Sequence, residues 1–213
     1  MQVCLTTDKT KHNSMDNGRG KICLASASPR RQLLLQQVGI DYEVMVPDIN
    51  ETPLAGEMPA AFVTRVSREK AEQVYQLRQQ RGMPELPTLG ADTAVVLNNR
   101  ILGKPEDRAH GMTMLADLSG QTHAVLTAVT IMYAGQANSL VQKSEVSFAP
   151  LSEIQIEAYW ETGEAADKAG AYGIQGAAAA FISRIEGSYS GVMGLPLYET
   201  CQLLDQLLVQ DQC

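Results

Sequence analysis

Charge is scarce in this 213-residue chain. Only 19% of residues are charged, and 17 Lys and Arg stand against 24 Asp and Glu, a net charge of −7. Proteins that hold nucleic acid or an anionic membrane carry a basic stripe; neither partner is expected here. No run of about 18 apolar residues occurs, so no transmembrane helix is expected. The first 20 residues, MQVCLTTDKTKHNSMDNGRG, lack the apolar segment of a secretory signal. Three histidines form no HExxH, which excludes a zincin. Four cysteines (Cys4, Cys23, Cys201, Cys213) form no CxxC, too sparse for a zinc ribbon or a disulfide scaffold. A reducing, cytoplasmic setting fits them. No local signature supports a Cys–His nucleophile, and no repeat of 20–50 residues appears.

The scarce charge is unevenly spread. Residues 1–150 carry 15 cations and 15 anions, whereas residues 151–213 carry 2 and 9. The cations that could meet an anionic ligand therefore lie in the first two-thirds, although an acidic, solvated C-terminal face is the simpler reading of the pattern.

With 45% hydrophobic residues the chain can bury a core. Residues 1–20 are polar and aperiodic and read as a disordered extension, leaving residues 21–210 as a single domain. KICLA (21–25) reads as a buried first strand. Ser28 and Pro29 mark a helix start and Gly39 its stop. Residues 41–46 alternate as a strand, 47–58 as loop, and Pro59–Arg81 as a long helix. Position 70 of its apolar stripe is Lys, which either snorkels to water or points into a cleft. Thr88–Leu97 reads as a strand interrupted by Gly90 and Asp92. A helix over Glu106–Leu118 follows, then strands over Thr122–Tyr133 and Ser139–Phe148 forming a hairpin. Ser152 and Gln155 make a capping box, Phe181–Ile185 a strand, GSYSGVMGLP a loop, and Pro196 opens a last helix. The fold class is α/β or mixed α+β, a two-lobed mixed sheet sharing a central cleft.

Four segments carry chemistry. Ser26–Arg31 (SASPRR) joins a strand to a helix, so hydroxyls, two guanidiniums and free helix N–H groups suit an anion, unless it is an ordinary cap with exposed arginines. Asp92 sits in an apolar strand, costly unless paired, hydrogen-bonded or metal-bound. Glu51, Lys70 and Lys104 add a carboxylate and two ammonium groups, which with Asp92 suit a hard cation and a polyphosphate. In AGAYGIQG (169–176) the glycines permit close backbone approach, and the Gln175 amide can donate and accept at a base edge; a tight packed turn is the other reading.

SASPRR, the Glu51…Lys70…GADT…GKP series, DKAGAYGIQG and GLPLYET resemble the Maf family of nucleotide pyrophosphatases from about Ile22 to Leu208. The resemblance implies an architecture like inosine-triphosphate pyrophosphatase and hydrolysis of nucleoside triphosphates to monophosphate and pyrophosphate. It also implies a house-cleaning role, a divalent cation (Mg²⁺ or Mn²⁺), a homodimer and an association with septum formation. It marks Asp92 as proton acceptor; the charges themselves suggest a metal held by Glu51 or Asp92, so that Asp92 serves as base, ligand or both, with Lys70 and Lys104 offsetting developing phosphoryl charge. Ser26, Ser28, Arg30 and Arg31 would hold the triphosphate. Arg30, Thr93 and Gln175 resemble the dTTP and UTP branch, which also takes modified uridine or thymidine forms; the 7-methyl-GTP branch has SPWRR, GSDQ and KSEG instead. A 7-methyl-GTP pyrophosphatase and a non-catalytic, nucleotide-binding regulator of septum formation are the alternatives.

Overall fold

The computed structural model describes residues 19–210. The extension expected over residues 1–20 lies outside them except for Arg19 and Gly20. Arg19 makes a bidentate pair with Asp205, at 2.6 and 2.8 Å.

Seven strands form one mixed sheet among the described residues: β1 (Ile22–Leu24), β2 (Tyr42–Val44), β3 (Thr88–Leu97), β4 (Arg100–Leu102), β5 (Thr122–Tyr133), β6 (Gln136–Phe148) and β7 (Ile182–Glu186). Their order is β2-β1-β3-β5-β6-β7, with β4 also on β3. The pairs β1–β2 and β1–β3 are parallel and the rest antiparallel. Two-residue turns close both hairpins. Asn98 and Asn99 (φ 50° and 64°) join β3 to β4, and Ala134 and Gly135 (φ 47° and 75°) join β5 to β6. This left-handed pair matches the strand twist, and Asn and Gly tolerate it.

Six α-helices flank the sheet among the described residues: α1 (Pro29–Gln37), α2 (Pro59–Gln80), α3 (Arg108–Leu118), α4 (Glu153–Trp160), α5 (Tyr189–Met193) and α6 (Leu197–Gln210). Alternate residues of β3 point to opposite faces. On one face Phe62, Val63 and Val66 of α2 pack on Ala94, Val96 and Ala128. The other face carries two separate cores. One joins Leu34 and Leu35 of α1 and Leu203, Leu204 and Leu207 of α6 to Leu89 and Ala91. The second joins Met114 and Leu115 of α3 and Ile156 and Tyr159 of α4 to Val95 and Leu97. Thr93 falls between them, so this division makes the two lobes.

Three local expectations change. β3 runs unbroken through Gly90 and Asp92, because β5 pairs it residue by residue from Thr88 to Val96. β6 begins at Gln136 rather than Ser139, since the turn needs two residues. Residues 189–193 are helical rather than loop: the Ser188 hydroxyl accepts from Gly191 N, and Gly194 (φ 116°) ends the turn. No helix among the described residues is long and apolar enough to cross a membrane.

Candidate active site

β1 and β4 share one edge of β3 but do not meet. β1 pairs with Thr88 and Leu89, and β4 with Val95 to Leu97. Residues 90–94 therefore have no strand beside them on that edge. A cleft of about 710 Å³ opens there, within the usual range for small-molecule sites. Asp92 and Thr93, neighbours with opposite facings, both line it.

Asp92 faces α2, which lies unusually close. A Cβ on Gly90 would stand 2.2 Å from the Ser67 carbonyl oxygen and 2.8 Å from Ala71 N. That approach lets Lys70, buried at 6% exposure, reach across to the strand. Its Nζ donates to Asp92 Oδ1 at 2.9 Å and to Glu51 Oε2 at 2.8 Å. Of the two readings of Lys70, the lysine aimed into the cleft is the one realised. Glu51 stands at the mouth with its side chain 54% exposed, against 10% for Asp92. Burial pushes the Asp92 carboxyl up from its ordinary value, against the opposing pull of Lys70 and Arg31.

The loop bearing Glu51 is stapled to α2. Arg65 donates to both Glu57 oxygens at 2.7 and 2.8 Å and to Thr52 O at 3.1 Å. Gln73 exchanges two bonds of 2.6 Å with the backbone of Asp48. Hydrogen bonds to Arg65 hold the Glu57 carboxyl down at about 2. Sequence reasoning missed Arg65 and Gln73, because no local pattern tells which side of α2 the 47–58 loop covers.

The SASPRR loop forms the opposite wall. Its arginines differ in setting. Arg31 is buried, donating from Nε to Gly194 O at 2.8 Å and from Nη1 to Ser26 Oγ at 3.0 Å. Burial lowers its guanidinium, while Asp92 and Glu51 hold it up. Arg30 is half-buried and lines the cleft. Ser28 stands at the N-cap of α1 without a side-chain cap bond; instead its N–H donates to Ser26 Oγ at 3.2 Å.

Residues 164–176 close the third side. Gly170 (φ 68°) donates its N–H to Gly103 O at 2.9 Å, and a Cβ there would stand 2.9 Å from Val95 Cγ1. Only glycine lets this segment lie on β3 in that conformation. Tyr172 lines the cleft, with its hydroxyl 2.8 Å from His123 Nε2. Burial drives His123 down to about 4, so the ring is neutral. Gln175 and Lys104 are exposed at the rim. All ten residues singled out from sequence line this one cleft. Tyr172, Lys168, Glu164 and Asp167 also line it; they sat in or beside the glycine-rich motif but were not singled out.

Among the described residues no three His, Cys, Asp or Glu side chains converge as a ligand cage for a metal. Glu51 and Asp92 do approach one point, the Lys70 ammonium. Two hard carboxylates fit a cation of the Mg²⁺ type, which ordinarily takes one or two protein ligands and completes its shell with phosphate and water.

A family profile described as "Maf-like protein" matches residues 21–207. The chain is 50% identical over 198 residues to a Nitrosospira multiformis protein named dTTP/UTP pyrophosphatase, covering 89% of this chain and 96% of that one. Proteins of the same name from Pseudoalteromonas atlantica and Vibrio cholerae are 47% identical over 192 residues and 50% over 184. Those matches cover 90% and 86% of this chain, and 100% and 96% of theirs.

Proposed function

The chain belongs to the Maf family, and from that premise we propose that it hydrolyses nucleoside triphosphates bearing uracil or thymine to the monophosphate and pyrophosphate. Relatives of nearly equal length that carry the name dTTP/UTP pyrophosphatase support the substrate. The observation that carries the chemistry is the convergence of Asp92, Lys70, Glu51, Arg30, Arg31 and Lys104 on one cleft.

In this reading the triphosphate lies across the cleft with its tail toward the SASPRR loop. Arg31, fixed by Ser26 and Gly194, presents its guanidinium already oriented, and Arg30 adds a second at the mouth. Asp92 accepts a proton from the water that attacks the α-phosphorus, and pyrophosphate leaves. Lys70 engages only one Asp92 oxygen, which leaves the other to accept that proton. Burial favours this role by making Asp92 a stronger base than an exposed carboxylate. Lys70 and Lys104 offset charge on the phosphoryl oxygens and leaving group, the main task in phosphoryl transfer. Glu51 and Asp92 would hold Mg²⁺ or Mn²⁺ together with the phosphates. When bound, such a cation neutralises phosphate charge and acidifies nearby water.

Pyrophosphate release across a panel of canonical and modified triphosphates, with Mg²⁺, Mn²⁺ or chelator, tests the reading. dTTP and UTP should lead 7-methyl-GTP, and chelation should abolish turnover. Binding of dTTP without pyrophosphate release would overturn it. Free Cys23 and Cys201 fit the cytoplasmic setting. The homodimer, implied by resemblance, is read from the mass in solution.

A further inference from the structure

Behind Thr93 lies Thr127 of β5, which is fully buried. The two side chains share the face opposite α2, and their hydroxyl oxygens are 3.0 Å apart. Distance alone does not say which donates, but the surrounding bonds do. Gly191 O accepts from Gly194 N at 3.0 Å and from Thr127 Oγ1 at 2.7 Å. A carbonyl oxygen has no proton to give, so Thr127 is the donor in that contact. A threonine hydroxyl holds one proton. Thr127 has spent its own on Gly191, so Thr93 donates in the bond between the threonines. The Thr93 hydroxyl then has only lone pairs left to offer the cleft.

We propose that Thr127 is a positioning residue that makes Thr93 an acceptor-only group, and that Thr93 thereby selects a hydrogen-bond donor on the nucleoside half of the substrate. Phosphate oxygens are acceptors at neutral pH and are repelled by such a group, so the triphosphate tail is not what Thr93 meets. Resting on the pyrimidine reading above, in which both UTP and dTTP are substrates, the donors they share are the N3–H of uracil or thymine and the sugar 3′-hydroxyl. Cytosine has no N3–H. The chain of bonds starts in α5, so the short helix over residues 189–193 sets the polarity of a group across the cleft. The same turn holds Arg31 through Gly194 O.

The experiment compares pyrophosphate release from UTP, CTP, dUTP and 3′-deoxy-UTP by the wild type, Thr127→Val and Thr127→Ser. Valine matches the shape of threonine but returns the Thr93 proton, so that Thr93 can donate or accept. The wild type should prefer UTP by roughly tenfold in kcat/KM over whichever analogue lacks the recognised donor, mainly through KM; unmet polar groups cost at least this much. Thr127→Val should shrink that preference to within about threefold, and Thr127→Ser should keep it. The discriminated analogue identifies the donor: CTP for N3–H, 3′-deoxy-UTP for the 3′-hydroxyl, with dUTP expected to match UTP. Retention of every wild-type preference by Thr127→Val, or no preference in the wild type, overturns the proposal. Should the valine variant melt below assay temperature, Thr127→Ala repeats the test with the same outcomes. A wild type that releases no pyrophosphate from UTP or dTTP sinks the substrate reading instead.

Discussion

On the α2 face of β3, charge meets charge: Lys70 lies between Asp92 and Glu51. On the other face, polar groups meet neutral partners. Arg31 donates to a serine and a carbonyl, Thr93 to Thr127, and neutral His123 pairs with Tyr172. The two settings stand one residue apart in the chain. Strand pleating sends Asp92 and Thr93 opposite ways, and the unpaired edge between β1 and β4 brings both back to one cleft. The carboxylates and lysine that handle the proton are thus kept apart from hydroxyls suited to hydrogen-bond polarity, while Arg31 is held toward the cleft by neutral partners alone.

Removing one charge should break the first face most severely. Lys70→Met strands buried Asp92 beside a half-exposed Glu51. Loss of one partner of a buried pair costs about 3–5 kcal/mol, measured by denaturant unfolding at neutral pH. The loss should shrink on acidification. Lys70 lowers the Asp92 pKa, so the variant's carboxyl protonates at higher pH than the wild type's, and protonation removes the stranded charge. A pH-independent loss would place the damage in packing instead.

Asp92→Asn keeps shape and the Lys70 bond but removes the proton acceptor. Turnover of dTTP should fall by roughly a hundredfold or more, with the melting temperature reporting an intact fold. Near-normal turnover would strip Asp92 of that role.

The neutral face should fail differently, through pH. The unfolded chain protonates His123 near its ordinary 6.5, while the folded ring resists until about 4. Between those values the unfolded state binds more protons, so stability rises with pH and is lost as pH falls. The span corresponds to at most about 3–4 kcal/mol. His123→Phe, packed beside Phe148 and Tyr172, should flatten melting temperature against pH over that window. An unchanged slope would move the titration to another group.

Much of this was legible from local patterns. The Pro29 and Pro59 helix starts and the Ser152–Gln155 capping box follow from caps and periodicity, and ten of the cleft residues from side-chain chemistry together with the family resemblance. What was not legible depended on partners distant in the chain. Arg65 reads as one more surface arginine of α2 until the 47–58 loop folds over it. Residues 189–193 read as loop because two glycines and two serines weaken a helix, yet Ser188 caps it and Gly194 ends it. The difference between Arg30 and Arg31 was equally hidden. Both follow Pro29, but only Arg31 finds Gly194 on the far side of the cleft.

By itself the sequence determined most of the elements, the mixed α/β class and the short roster of groups able to handle a triphosphate, because helix caps, strand alternation and side-chain chemistry are local properties. Only the tertiary structure decided that β1 and β4 stop short of each other on β3, that Gly90 admits α2 near enough for Lys70 to reach Asp92, and which threonine holds the proton. Those outcomes depend on register, helix approach and bond direction, which pairing between remote segments sets and no single stretch of sequence encodes.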